Sequence, residues 1–192
     1  MNTDGILKKS VILMVVLLGL TLSIGFLLPG DFKVERSIVI DAPPSEVYPW
    51  VGELQKWSQW DPWRNVDKKL KRTFSGNSAV GDYLEWSGPQ SGVGRLTILE
   101  TNTNAVLRIG MSEATLEHDR LIIFTLEDLG NQTRLHWSIS GENSMKPLGN
   151  YFALGLDRHL GNMYEQGLSN IKSLVETGAL PPEVKQTPED EE

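Results

Sequence analysis

The sequence predicts an α+β domain in which a curved antiparallel sheet of seven strands is closed by one long C-terminal helix. Three observations predict it. From residue 66 to 140 apolar and polar residues alternate with period two, the pattern of half-buried strands. Ser75-Gly76-Asn77, Gly88-Pro89-Gln90-Ser91-Gly92, Asn102-Thr103-Asn104 and Leu129-Gly130-Asn131 cut that run into pieces. Short turns of this kind join antiparallel neighbours. Then Phe152, Leu156, Leu160, Met163, Gly167, Ile171 and Leu174 follow at steps of 4, 4, 3, 4, 4 and 3, an apolar helical stripe of period close to 3.6. One apolar sheet face and one apolar helix stripe cover each other.

The elements follow in chain order. After Lys8 and Lys9, residues 11–28 carry no charge and two hydroxyls, Thr21 and Ser23. As a helix they extend ~27 Å, close to the ~30 Å hydrocarbon thickness. The stretch is longer than a signal-peptide core and no small-x-small cleavage site follows, so an uncleaved anchor over 1–30 is expected. The two lysines place the N-terminus inside and the domain outside the cytoplasm, in a single-pass inner-membrane protein. Residues 34–40 alternate as a first strand, ended by Asp41-Ala42-Pro43-Pro44. Ser45 reads as the N-cap of a short helix over 45–52, and a second covers 53–60 before Asp61-Pro62. Candidate strands are 68–74, 81–86, 93–101, 104–112, 115–127 and 133–140. The final helix runs from Pro147 to Gly178, and the Pro-rich acidic residues 178–192 are expected to be disordered.

This order of elements, with four local stretches, resembles the SRPBCC superfamily, the START-like or helix-grip fold, and within it the bacterial polyketide cyclase/dehydrase-like group. ERSIVIDAPPSEVYPWV (35–51) resembles the family's opening strand and helix. WSQWDPW (57–63) is similar to its aromatic segment after the second helix. VGDYLEWSG with GVGRLTIL (80–99) resembles its central hairpin, and YEQGLSNIKSLVE (164–176) its last helical turns. The resemblance covers 31–177. It implies a cavity between sheet and helix, and a fold that hosts carriers, receptors and cyclases alike.

Composition narrows the chemistry. There is no cysteine, so disulfides, thiol catalysis and thiolate metal sites are excluded. The chain carries −7; Asp4, Lys8 and Lys9 make residues 1–30 +1, leaving −8 for 31–192. With that charge and no basic patch evident, nucleic acid is not an expected partner, and any lipid contact would be apolar. His118, His136 and His159 are not at ligand spacing, so no metal and no cofactor are expected. His136 reads as outward-facing, and His159 as lying on a wet helix face. Ser87–Gly94 opens no helix and is a hairpin loop, not a phosphate cradle. Asp61 reads as a turn former, Glu85 points away from Leu84 and Trp86, and Arg95 and Arg108 are outer-face partners of surface acids.

Four of the six tryptophans, Trp50, Trp57, Trp60 and Trp63, fall within fourteen residues. Trp57 and Trp60 share a helix face and are expected at the mouth of the cavity that the fold implies. Its candidate lining is Leu84, Trp86, Ile98, Ile109, Met111 and Trp137 from the sheet, with Phe152, Leu156 and Met163 from the helix. The expected function is binding of a small hydrophobic molecule (a lipid, isoprenoid or polyketide-like compound) by a domain tethered through residues 11–28. A cyclase acting through polar cavity residues, and a ligand-free envelope interaction domain, are the alternatives.

Overall fold

The structure, a computed structural model, describes residues 3–114, 118–142 and 147–181, apart from the side chains of 3–7, 65 and 152–154. α1, Thr3–Leu27, is a single helix. Its window Lys8–Leu27 has a mean hydropathy of 2.6 and is long and apolar enough to cross a membrane. The two hydroxyls inside it back-bond to helix carbonyls, Thr21 to Leu17 at 2.9 Å and Ser23 to Gly19 at 2.8 Å. Neither therefore presents an unpaired polar group.

β1, Asp31–Ile40, buries Phe32, Val34 and Ile40. α2, Pro44–Gly52, starts one residue before the expected Ser45 cap and uses no side-chain cap. Pro44 supplies the fixed φ that a first helical position favours, and the Pro43 carbonyl accepts the first amides, from Glu46 and Val47. The single helix expected over 53–60 is broken. Glu53 is extended, Leu54–Lys56 forms a 3₁₀ turn, and α3, Trp57–Trp60, is one α turn. The Leu54 amide donates to Ser78 Oγ at 2.9 Å, which turns the chain there. A further turn, α4 (Trp63–Val66), was not foreseen. Asp61 starts it by accepting the Trp63 amide at 2.9 Å.

The meander follows as β2 Lys71–Phe74, β3 Tyr83–Gly88, β4 Gly92–Asn102, β5 Val106–Glu113, β6 Arg120–Asp128 and β7 Thr133–Glu142. Of the strand expected over 115–127, residues 115–117 lie outside the described residues. All neighbours are antiparallel, in the order β1-β7-β6-β5-β4-β3-β2. The register defines two ends. Asp31 pairs with Glu142, Met111 with Arg120, Gly94 with Glu113, Gly88 with Gly92, and Lys71 with Ser87. These positions form one end of the sheet, the end from which α1 leaves.

α5, Leu148–Thr177, closes the open face. It packs closely on the sheet at Gly167, where a Cβ would stand 2.7 Å from Cζ3 of Trp137. Arg36 of β1 binds across the helix to Asp157 at 2.9 Å and Glu165 at 2.8 Å. Gly178 ends α5 at φ 73°, a left-handed cap that glycine adopts without strain. The tail expected to be disordered lies outside the described residues from 182 onward.

Candidate functional site

Sheet and helix do not meet flush along their whole length. A cavity of about 420 Å³ lies between the concave sheet face, α3–α4 and the middle of α5. Its floor is aromatic and buried. Trp137 stacks on Tyr164 at 3.9 Å and meets Trp60 edge-on at 5.4 Å, and Trp57 packs against Trp60 at 5.1 Å. Two of these indoles are tied down through Nε1, Trp57 to the Val51 carbonyl at 2.8 Å and Trp60 to the Trp50 carbonyl at 2.7 Å. Nε1 of Trp137 is buried with no partner among the described residues, as is Nε of Arg120.

The walls are Leu84, Trp86, Leu96, Met111, Ile122 and Ile139 from the sheet, Leu160 and Met163 from α5, and Trp63, Val66 and Leu70 from the segment before β2. Gln90, Glu113, Arg120 and His159 form the more exposed rim. Asp67 organises that rim. Its carboxylate accepts the amides of Gln90 at 2.9 Å and Ser91 at 3.0 Å, and of Lys69 at 3.0 Å, joining the α4–β2 loop to the β3–β4 hairpin. Burial pushes its pKa up, but these amides outweigh burial and hold it below the ordinary carboxylate value. Asp61 and Arg72 form a shielded ion pair in the wall. Burial raises the Asp61 pKa, and Arg72 pulls it back. Burial likewise raises the carboxyl of Glu113, with Arg120 opposing, and it raises the Tyr164 phenol, which stays a proton donor.

The structure brings together Trp57, Trp60, Leu84, Trp86, Met111, Trp137 and Met163 of the expected lining. It sets Ile98 and Ile109 elsewhere. They pair with each other in β4 and β5, at 1 % and 0 % exposure, in solid core. Leu156 lies half-buried one turn before the lining stretch of α5, and the Phe152 side chain lies outside those described. Trp57 and Trp60 occupy the floor instead of the mouth, since both are buried. Asp61 is a turn former and also a cavity group. His159 reaches the rim, whereas His136 stays on the outer face, 3.7 Å from Glu35 and 3.9 Å from Glu127. Glu85 pairs with Arg95 on that face, and Arg108 with Glu100.

The sequence reasoning missed Leu96, Ile122, Ile139, Leu160 and Tyr164, although period two or the helix stripe marks most of them as inward. It missed Arg120 and Glu113 because strand termini carry no signal of what they face. It also missed a local basic cluster. Lys68, Lys69 and Lys71 are exposed beside the rim, against the overall negative charge.

Residues 31–176 match the family described as polyketide cyclase/dehydrase and lipid transport. Among solved structures, a protein from Chromobacterium violaceum aligns with TM-score 0.52 and 20% identity over 75% of this chain and 96% of its own. A conserved protein of unknown function from Enterococcus faecalis aligns with TM-score 0.55 and 20% identity, covering 81% and 77%. Truncated norcoclaurine synthase from Thalictrum flavum aligns with TM-score 0.57 and 12% identity, covering 77% and 94%. At these identities the likeness is one of fold. No curated protein matches the chain.

Proposed function

We propose that this protein, which belongs to the polyketide cyclase/dehydrase and lipid transport family, holds a small hydrophobic molecule in the cavity while α1 tethers it to a membrane. The cavity itself carries the reading. About 420 Å³ of aromatic and aliphatic lining falls within the ~300–1,000 Å³ of ligand sites generally. A lipid-derived chain, an isoprenoid or a polyketide-like ring system suits that lining. The unpartnered N–H groups of Trp137 and Arg120 favour a ligand that carries acceptor oxygens. Met111 and Met163 supply an adaptable wall. The division into an anchor over 1–30 and a binding domain over 31–177 follows from the same reading. The lysines before the span favour a domain on the extracytoplasmic side.

The test is to fill the space. Met111→Phe with Met163→Phe should leave the unfolding midpoint nearly unchanged and weaken binding of the apolar dye N-phenyl-1-naphthylamine by about tenfold or more, ~1.4 kcal/mol. Native mass spectrometry of protein taken from membranes should show a retained small molecule. If the double variant loses ~1–3 kcal/mol of stability and dye binding is unmoved, the interior is overpacked and the carrier reading falls.

A second reading has its own observation. Glu113, with its pKa raised by burial, stands at the rim, and Tyr164 keeps its proton at the floor. A carboxyl poised this way suits general acid/base work on a held carbonyl compound. Turnover of a poly-β-carbonyl probe that is abolished in Glu113→Gln, with dye affinity retained, would favour the cyclase alternative.

A further inference from the structure

The cavity and the apolar helix share one end of the fold. α1 leaves from the sheet end defined by Asp31 and Glu142, and the rim groups Glu113, Arg120 and Gln90 stand at that same end of their strands or hairpins. The far end, at Ile40, Thr133 and Asp128, contributes nothing to the cavity.

α1 is also clamped there. The Asn150 amide donates to the Gly25 carbonyl at 2.9 Å and to the Leu28 carbonyl at 3.1 Å. Tyr151 donates its hydroxyl to Thr21. Gly25 lies so close that a Cβ would come within 2.8 Å of the Tyr151 ring. The clamp sits on the first turn of α5, the helix that supplies His159, Leu160 and Met163 to the cavity. The span and the cavity are thus joined through one rigid element.

The surface around the rim fits a bilayer. Val66 is 50% exposed and Val93 55%. Lys68, Lys69 and Lys71 are exposed beside them, although the chain as a whole is acidic. Of the acids at this end, Asp31 and Glu142 lie beside α1, where the span and not charge holds the domain, and Glu113 and Asp119 flank Arg120, which offsets one of them; the lysines stand apart from these, by the α4–β2 loop.

We propose that this end of the fold seats on an anionic lipid surface and that the cavity loads from the bilayer instead of from water. The proposal rests on the tethered-carrier reading and adds its orientation and its route of access. Exposed valines and lysines flank the rim on the side of α4, β2 and the β3–β4 hairpin, so a hydrophobic molecule leaving the membrane there would cross little water. Each lysine at an anionic surface is worth roughly fivefold in partition, an attraction that salt weakens.

The cysteine-free chain makes the test clean, because one introduced cysteine takes one label. The full chain is reconstituted in vesicles of phosphatidylglycerol and phosphatidylcholine. An environment-sensitive fluorophore is placed by Gln90→Cys at the rim or by Val80→Cys in the β2–β3 connection, at the opposite end of β3. Gln90 lies on the β3–β4 hairpin, remote from β1 in strand order, and the lysine variants separate seating by charge from nearness to the tether. Lipid-borne quenchers should quench the Gln90 label several-fold more than the Val80 label. Lys68→Glu with Lys69→Glu and Lys71→Glu should remove most of that difference, as should pure phosphatidylcholine. Equal quenching at both ends, or a rim label that stays wet in anionic vesicles, overturns the proposal. Dye binding in detergent by the Val80-labelled protein, whose label stands outside the cavity lining, separates the two readings. Normal dye binding with a wet rim defeats the orientation alone, whereas no dye binding in either setting defeats the carrier reading.

Discussion

Trp60 shows how far a single residue was legible. Its spacing from Trp57 put both rings on one face, and both are indeed inward, at 0 % and 5 % exposure. What spacing could not tell is whether that face meets a mouth or a floor. That is decided by Asp61, which ends one helical turn and starts the next, and by the Trp50 carbonyl that pins the Trp60 indole. Trp60→Ala should cost about 3–5 kcal/mol in denaturant unfolding, the range for deleting a buried aromatic ring. A cost below about 1 kcal/mol would mean that the ring is not the structural floor described. Asp67 was invisible in the sequence, because its three amide partners come from its own loop and a hairpin more than twenty residues away. Its pKa is lower folded than the ~3.9 of an unfolded aspartate. The unfolded state therefore binds the proton more tightly, so the stability from this group is full above about pH 4 and is lost as pH falls through the folded value. The unfolding midpoint should drop on acidification below about pH 4. Asp67→Asn should have a lower midpoint at neutral pH and a flatter acid limb. A variant whose acid limb parallels the parent's would place that acid sensitivity elsewhere.

At the scale of elements, α5 and the strands were readable because burial imposes a period on a long segment. The order of β2 to β7 follows from the short turns, whereas the pairing of β1 with β7 does not. What period does not encode is depth along the element. Ile98 and Ile109 alternate correctly and still lie in solid core, while Leu96 and Met111, two residues nearer the rim, face space. On α5 the same uncertainty moves the cavity wall from the expected Leu156 to Leu160, Met163 and Tyr164. The short helices were less legible, since each is one or two turns set by tertiary hydrogen bonds such as Leu54 to Ser78. Gly167 weighs propensity against packing. Alanine gains about 0.5–1 kcal/mol in a helix interior. Its Cβ would meet Cζ3 of Trp137 at 2.7 Å and Pro62 Cδ at 3.3 Å, and overpacking costs ~1–3 kcal/mol. Packing should win, so Gly167→Ala lowers the unfolding midpoint and alters tryptophan fluorescence as Trp137 shifts. A stabilised variant would show that helix and sheet do not touch there.

For the whole molecule, the question is what an exposed apolar helix does beside an acidic domain. Leu13, Leu17 and Leu18 of α1 are more than half exposed, and a helix with that surface left in water would promote aggregation. A bilayer removes the liability, and the backbone already meets the membrane's demand, since the helix and its Thr21 and Ser23 back-bonds satisfy its polar groups. If α1 enters a bilayer, the acidic domain stays out of the hydrocarbon, so the boundary falls near Thr21, where the clamp of Asn150 and Tyr151 on Thr21, Gly25 and Leu28 begins. If α1 spans the membrane, one charge at its centre costs about 2.5–3.5 kcal/mol. Leu17→Arg with Leu18→Asp should therefore move the protein out of the membrane fraction after an alkaline wash. Both side chains project away from the domain, so tryptophan emission and unfolding of the domain should be preserved. Retention of the parent chain only until the wash, followed by release like the variant, would mean that α1 lies on a surface or docks on another protein and does not cross the bilayer.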